Sequence, residues 1–366
     1  MSTTAANSTK LVRYNKSNVM KKGTETALSP LQATNREGVM IGKEYIPALN
    51  MMEAQDSQAV LTWKQAVSSF VVNSNTKPSS RLLYTRTLKL FFEWAQREGK
   101  SLHSLTGTDI LSYMDYLKLQ GKTSLTICSY LTSLRSFYEW AEREKLYPNI
   151  VKGIKSPKRK NKFVKQHLTD GKSGELLQYF QERSLRDYAI VNLILRTGLR
   201  TIEVVRADVG DITYRSFEDK NGKEVMRRVL RVWGKGKEEK DDFVILTDKA
   251  FNPLKDYLST RPKAKDIEPL FVSDCYAVSG ERLSTRTISG ICKSGLKAIG
   301  LDSSEYTAHS LRHTTATTIL KHGGSLDEAQ AVLRHTSPET TQIYLESIKD
   351  ESRLERNTEG LLDEAF

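Results

Sequence analysis

With 366 residues, 38% of them hydrophobic and 27% charged, the chain is long enough for about two domains, each with a core of its own. There is no run of about eighteen apolar residues, no apolar leader in MSTTAANSTKLVRYNKS and no CxxC among Cys128, Cys275 and Cys292, which sets aside membrane, secreted and disulfide-framework classes and points to a reducing cytoplasm. The net charge of +12, from 56 Lys and Arg against 44 Asp and Glu, directs the search for a partner toward polyanions, nucleic acid first.

Residues 1 to 56 are polar and basic with little apolar periodicity, so they read as an extended or disordered segment, available as an arm-type DNA contact. From residue 57 to 151 apolar residues recur three and four apart in four runs, 58 to 72, 80 to 97, 108 to 119 and 123 to 144, which predicts a helical domain. Two of its helices end alike, in FFEWAQREGK (91 to 100) and FYEWAEREKL (137 to 146). Phe91, Trp94 and Ala95, like Phe137, Trp140 and Ala141, fall on one face and are expected in the core, with Arg97 and Arg143 on the polar side. Lys77 and Lys122 stand beside hydroxyl residues just before helix N-termini, a setting suited to phosphate contacts.

The stretch from 152 to 165, KGIKSPKRKNKFVK, holds seven basic residues and no acid, and reads as a basic interdomain linker. Lys155, Lys158, Arg159, Lys160 and Lys162 are its candidate DNA contacts. A second domain follows over 166 to 366, with helices at 173 to 183 and 185 to 197. Three strands then come from ADVGDITYRSF, EVMRRVLRVWG and DDFVILTD. Helices resume at 284 to 299, 308 to 322 and 325 to 334, then through Thr340 to Tyr344 and beyond Lys349. The fold class expected is mostly α, with one small antiparallel sheet inside the second domain.

Three short stretches of that domain carry chemistry. TGLRTIEV, at 197 to 204, ends a helix on Gly198 and opens the next with Arg200 and, three residues on, Glu203. HSLRHT, at 309 to 314, sets His309 and Arg312 one turn apart. His309 and His313 also have a zinc-helix spacing, but Ser310 stands where the glutamate of such a site belongs, so no metal is assigned. LRHTSPETTQIYLES, at 333 to 347, places His335 nine residues before Tyr344.

In this order the motifs resemble the tyrosine recombinases of the phage-integrase family, Xer-type members and mobile-element integrases alike, from about Ser57 onward. The resemblance implies a helical core-site-binding domain followed by a catalytic domain. It makes Arg200 and Arg312 the arginine pair and Glu203 the acid supporting the first of them. Lys235 in WGKGK becomes the hairpin lysine, His309 and His335 the histidines and Tyr344 the nucleophile. Arg334 departs from the pattern: the family's usual residue before the second histidine is glycine, and an arginine disfavours a left-handed backbone there.

The residue types suit phosphodiester exchange. Planar guanidinium groups meet the charge that grows on the non-bridging oxygens, which fits Arg200 and Arg312. A phenol needs a base, for which His309 is the candidate, and the departing 5′-oxygen needs a proton, which Lys235 can give. His335 would bond the phosphate or carry a proton. No step calls for a cofactor or metal, since bond energy is kept in a phosphotyrosine. The partner implied is double-stranded DNA with specific sites, held by a homo-tetramer that exchanges C-terminal tails (Leu361, Leu362, Phe366), with room for accessory DNA-bending proteins. The basic residues 1 to 56 tilt the biological role toward the integrase of a mobile element. The alternatives are DNA relaxation of the type IB topoisomerase kind and a non-catalytic architectural DNA-binding protein.

Overall fold

The computed structural model describes residues 38–48, 62–158, 166–234 and 239–335, with 337, 341, 342, 344, 345, 348 and 360. Among them no helix is long and apolar enough to cross a membrane. The chain divides into two compact units, with the boundary between Asn161 and Lys162.

Among the described residues, the first unit opens with a hairpin that the sequence reading did not anticipate. Strands β1 (Gly38–Ile41) and β2 (Glu44–Pro47) pair antiparallel across a turn at Gly42. The extended segment expected over 1 to 56 is therefore interrupted here: Val39, Ile41 and Ile46 enter the core. Four-residue strands carry too few alternations to stand out as a period of two. Helix α1 (Trp63–Asn73) starts on a capping box in which Thr62 and Gln65 satisfy each other's backbone N–H groups, and it buries Ala66, Val67, Phe70 and Val71. Its buried Ser68 hydroxyl donates to the Ile46 carbonyl at 2.8 Å, so the hairpin also satisfies a polar group of the helix.

Helix α2 (Pro78–Arg97) has proline at its first position, where the missing N–H costs nothing, and α3 (Gly107–Leu119) and α4 (Ser124–Arg143) follow. The repeated aromatic face is core, as the spacing predicts. Phe91, Trp94, Phe137 and Trp140 are all buried, with Phe91 edge-on to Tyr113 at 5.0 Å and Phe92 edge-on to Phe137 at 5.5 Å.

The second unit packs helices α5 (Asp170–Gln181), α6 (Leu185–Thr197) and the short α7 (Thr201–Arg206) with a sheet of β3 (Ile212–Glu218), β4 (Glu224–Val232) and β5 (Asp242–Ile245). The strands run antiparallel in the order β3-β4-β5, with Ile212 opposite Leu230 and Leu230 opposite Val244. Helix α8 (Asp248–Ser259) comes next, unread in the sequence because Pro253 lies inside it. Proline removes the donor that would reach back to the carbonyl of Lys249. The side-chain amide of Asn192, on α6, donates to that carbonyl instead, at 2.9 Å. Helices α9 (Thr285–Ala298), α10 (Ala308–Lys321) and α11 (Leu326–Leu333) follow, and the described residues from 341 onward are helical. Helix α10 is buried nearly all round over 310–317, where Thr315 donates to the Leu195 carbonyl of α6 at 2.9 Å.

Candidate active site

The site is assembled where three helix ends meet. Helix α6 stops at Gly198, whose φ of 62° is the left-handed cap that glycine takes without a Cβ penalty; a Cβ there would lie 2.6 Å from a Leu333 methyl. The turn delivers Arg200 to the N-cap of α7. Glu203 then accepts the Arg200 backbone N–H at 2.7 Å and its Nη1 at 2.8 Å.

Arg312, 1% exposed in the middle of α10, donates through Nη1 to the Gly198 carbonyl and through Nη2 to the Leu333 carbonyl. One guanidinium thus ties the end of α6 to the end of α11. Its Nε has no hydrogen-bond partner among the described residues. Burial, reinforced by the neighbouring Arg200, pushes Arg312 down to about 10, which still leaves it charged at neutral pH.

At the end of α11, Arg334 adopts the left-handed conformation, φ 54° and ψ 50°, that an arginine was expected to disfavour. A side-chain bond holds it there, Nη2 donating to Glu203 Oε2 at 2.7 Å. Its Nε has no hydrogen-bond partner among the described residues and lies 3.6 Å from Asp242 Oδ2 at the start of β5. Glu203 is therefore shared between two arginines. His335 follows, with Nδ1 2.9 Å from the Thr341 hydroxyl and its carbonyl accepting from Gln330.

Tyr344 is 2% exposed and packs with Ala316 and Leu333. Its ring meets His313 edge-on at 4.8 Å and stacks on His335 at 6.2 Å, and His313 in turn meets His309 at 5.3 Å. Burial raises the phenol's pKa, while Arg312 and Arg200 pull it the other way. Burial also pushes His313 down to about 3, helped by His309, and His335 down to about 4, helped by Arg312. A cleft of about 710 Å³ opens beside this group, walled by Arg200, Ile202, Lys293, Tyr306, His309 and Arg312. Lys293 is committed to its own loop, donating to the carbonyls of Asp302 and Ser303 at 2.9 and 2.7 Å.

Of the residues singled out in the sequence, Arg200, Glu203, His309, Arg312, His335 and Tyr344 come together in this one unit. Lys235 lies outside the described residues; five positions on, Lys240 anchors the hairpin, with Nζ 2.6 Å from Asp208 and 2.5 Å from Asp211. The candidate DNA contacts of the first unit are exposed. Lys77 and Lys122 stand just before α2 and α4. Arg97 and Arg143 occupy the last turns of those helices, where a cation suits the carbonyl end; Arg97 also lies over Tyr116, and Arg143 reaches Glu144. Lys155 and Lys158 are exposed, and Arg159, Lys160 and Lys162 lie outside the described residues. Sequence reading missed His313 as a neighbour of the tyrosine, and Arg334, Asp242 and Lys240 as ion-pair partners. His313 carried one usable signal, its place beside Arg312 on the helix face next to His309.

Comparison with known proteins gives the family. Residues 166–351 match the family model described as phage integrase family, and 70–145 match its N-terminal SAM-like domain. The chain belongs to the phage integrase family. The tyrosine recombinase XerC of Leptospira interrogans (strain Fiocruz L1-130) is 30% identical over 297 residues, which is 79% of this chain and 89% of that protein. In fold, the chain resembles the XerH site-specific recombinase bound to palindromic difH substrate, with a TM-score of 0.62 at 20% identity over 85% of this chain and 90% of that one. It also resembles the Tn1549 transposon integrase in complex with transposon right end DNA, with a TM-score of 0.58 at 16% identity over 80% and 98%. As a family member the chain is an enzyme, a tyrosine recombinase.

Proposed function

We propose that the protein cuts and rejoins DNA at specific sites through a 3′-phosphotyrosine on Tyr344, as the integrase of a mobile element. What supports this reading above all is one grouping. A tyrosine stands against two imidazoles and within the field of two arginines, and both arginines wall a cleft of about 710 Å³.

In the proposed reaction the scissile phosphate enters the cleft and takes hydrogen bonds from Arg200 and from the free N–H groups of Arg312. The Tyr344 oxygen attacks phosphorus, the bond to the 5′-oxygen breaks, and that oxygen takes a proton from Lys235. Rejoining reverses the step with a new 5′-hydroxyl. The phenolic proton goes to an imidazole. His313 and His335, at about 3 and 4, are weak bases, so His309 on the cleft wall remains the candidate acceptor. Because the Tyr344 ring is buried, DNA must draw it toward the cleft before it reacts. Lys155, Lys158 and the rest of the basic linker would run along the duplex, and four protomers would act on two sites.

The test is to incubate the protein with a pool of sheared duplex DNA, denature it, and sequence what stays attached. Adducts on 3′-phosphates with free 5′-hydroxyls, absent from Tyr344→Phe although that variant still binds DNA, are expected. Adducts in Tyr344→Phe would put the nucleophile elsewhere. No adducts from the unaltered protein would favour an architectural role, and adducts with no sequence preference would favour relaxation.

A further inference from the structure

The arginine that replaces the family's glycine occupies a costly backbone conformation and makes two ion pairs there. Arg334 takes Glu203 Oε2 at 2.7 Å while Arg200 takes Oε1 at 2.8 Å, and its Nε stands 3.6 Å from Asp242. The Arg334 and Glu203 side chains are 8% and 7% exposed, while Arg200 and Asp242 are open to solvent on one side. We infer that Arg334 is a positioning residue for catalysis, acting through Glu203 to fix the guanidinium of Arg200.

A geometric consequence supports the inference, which rests on the function proposed above. Glu203 holds Arg200 through both oxygens, Oε1 on Nη1 and Oε2 on the backbone N–H, and Arg334 adds a third bond at Oε2 that restrains the carboxylate further. Asp242, the first residue of β5, places a second carboxylate 3.6 Å from the Nε of the same arginine, a contact that glycine could not make.

The glycine variant separates this role from a structural one. Arg334→Gly removes the side chain but gives the backbone the residue best suited to φ 54°. It is expected to keep its urea midpoint and to bind DNA within about twofold. Covalent adducts on a nicked duplex of the trapped sequence should nevertheless form roughly ten- to a hundredfold more slowly at saturating protein. Arg334→Lys should recover part of that rate. In a Glu203→Gln background, Arg334→Gly should cost less than about threefold more, because the carboxylate it acts through is gone. The inference fails if the glycine variant cleaves at the unaltered rate, if lysine is no better than glycine, if the two losses multiply, or if the loss of rate is matched by a loss of stability. Absence of adducts from the unaltered protein is a different result, and counts against the proposed function instead.

Discussion

Burial fixes the charge of the two imidazoles beside Tyr344, and the consequence reaches beyond the reaction. His313 and His335 are pushed below their ordinary values, so the unfolded chain binds protons that the folded one refuses. Stability contributed by their neutral forms is present at neutral pH and is lost as pH falls below about 6.5, with a slope of up to about 1.4 kcal/mol per pH unit for each histidine. The urea midpoint is therefore expected to drop between pH 6.5 and 4.5. His313→Asn should flatten that drop, and an equally steep loss in the variant would show that His313 is not held neutral. Most of the site's members were legible because each sits in a short stretch with its own spacing, Arg200 in TGLR, His309 and Arg312 in HSLR, His335 and Tyr344 in the last. Their partners were not. Arg334 reaches Glu203 across 131 positions, and no local pattern records a pair made by the chain's return.

Turns and caps carry the geometry from one element to the next, and Gly198 is where this is most exposed to mutation. Alanine there would pay about 1–2 kcal/mol for a left-handed backbone and add overpacking against Leu333, together about 2–4 kcal/mol. The same change displaces the carbonyl that Arg312 holds. Gly198→Ala is thus expected to lower the urea midpoint and to slow adduct formation, with part of the stability returned by Leu333→Ala in the same chain. An unshifted midpoint would mean that the turn can relax. Helix α8 and the β1–β2 hairpin mark where element reading stopped. Pro253 hid a helix whose orphaned carbonyl is answered by Asn192 from another helix, and the hairpin is too short to display a period. Long helices such as α2 and α4 were plain, because twenty residues of one stripe leave little choice of face.

On the scale of the whole molecule, DNA affinity is expected to come from phosphate contacts spread along the chain, with chemistry confined to the second unit. If Lys155, Lys158, Arg159, Lys160 and Lys162 each meet a phosphate, affinity falls with salt at a log–log slope of about −0.9 per contact. Changing all five to glutamine should make that slope several units shallower on specific and random duplexes alike, while cleavage at saturating protein survives. An unchanged slope would leave the stretch a tether. The hairpin ahead of α1 bears on how such chains are pieced together in evolution. Because Val39, Ile41 and Ile46 belong to the core, the helical unit includes the hairpin that precedes Ser57. A chimera that borrows the helices of this chain must borrow the hairpin with them. Joined at residue 57, it would leave α1 with an uncovered apolar strip and would strip the buried Ser68 hydroxyl of its acceptor.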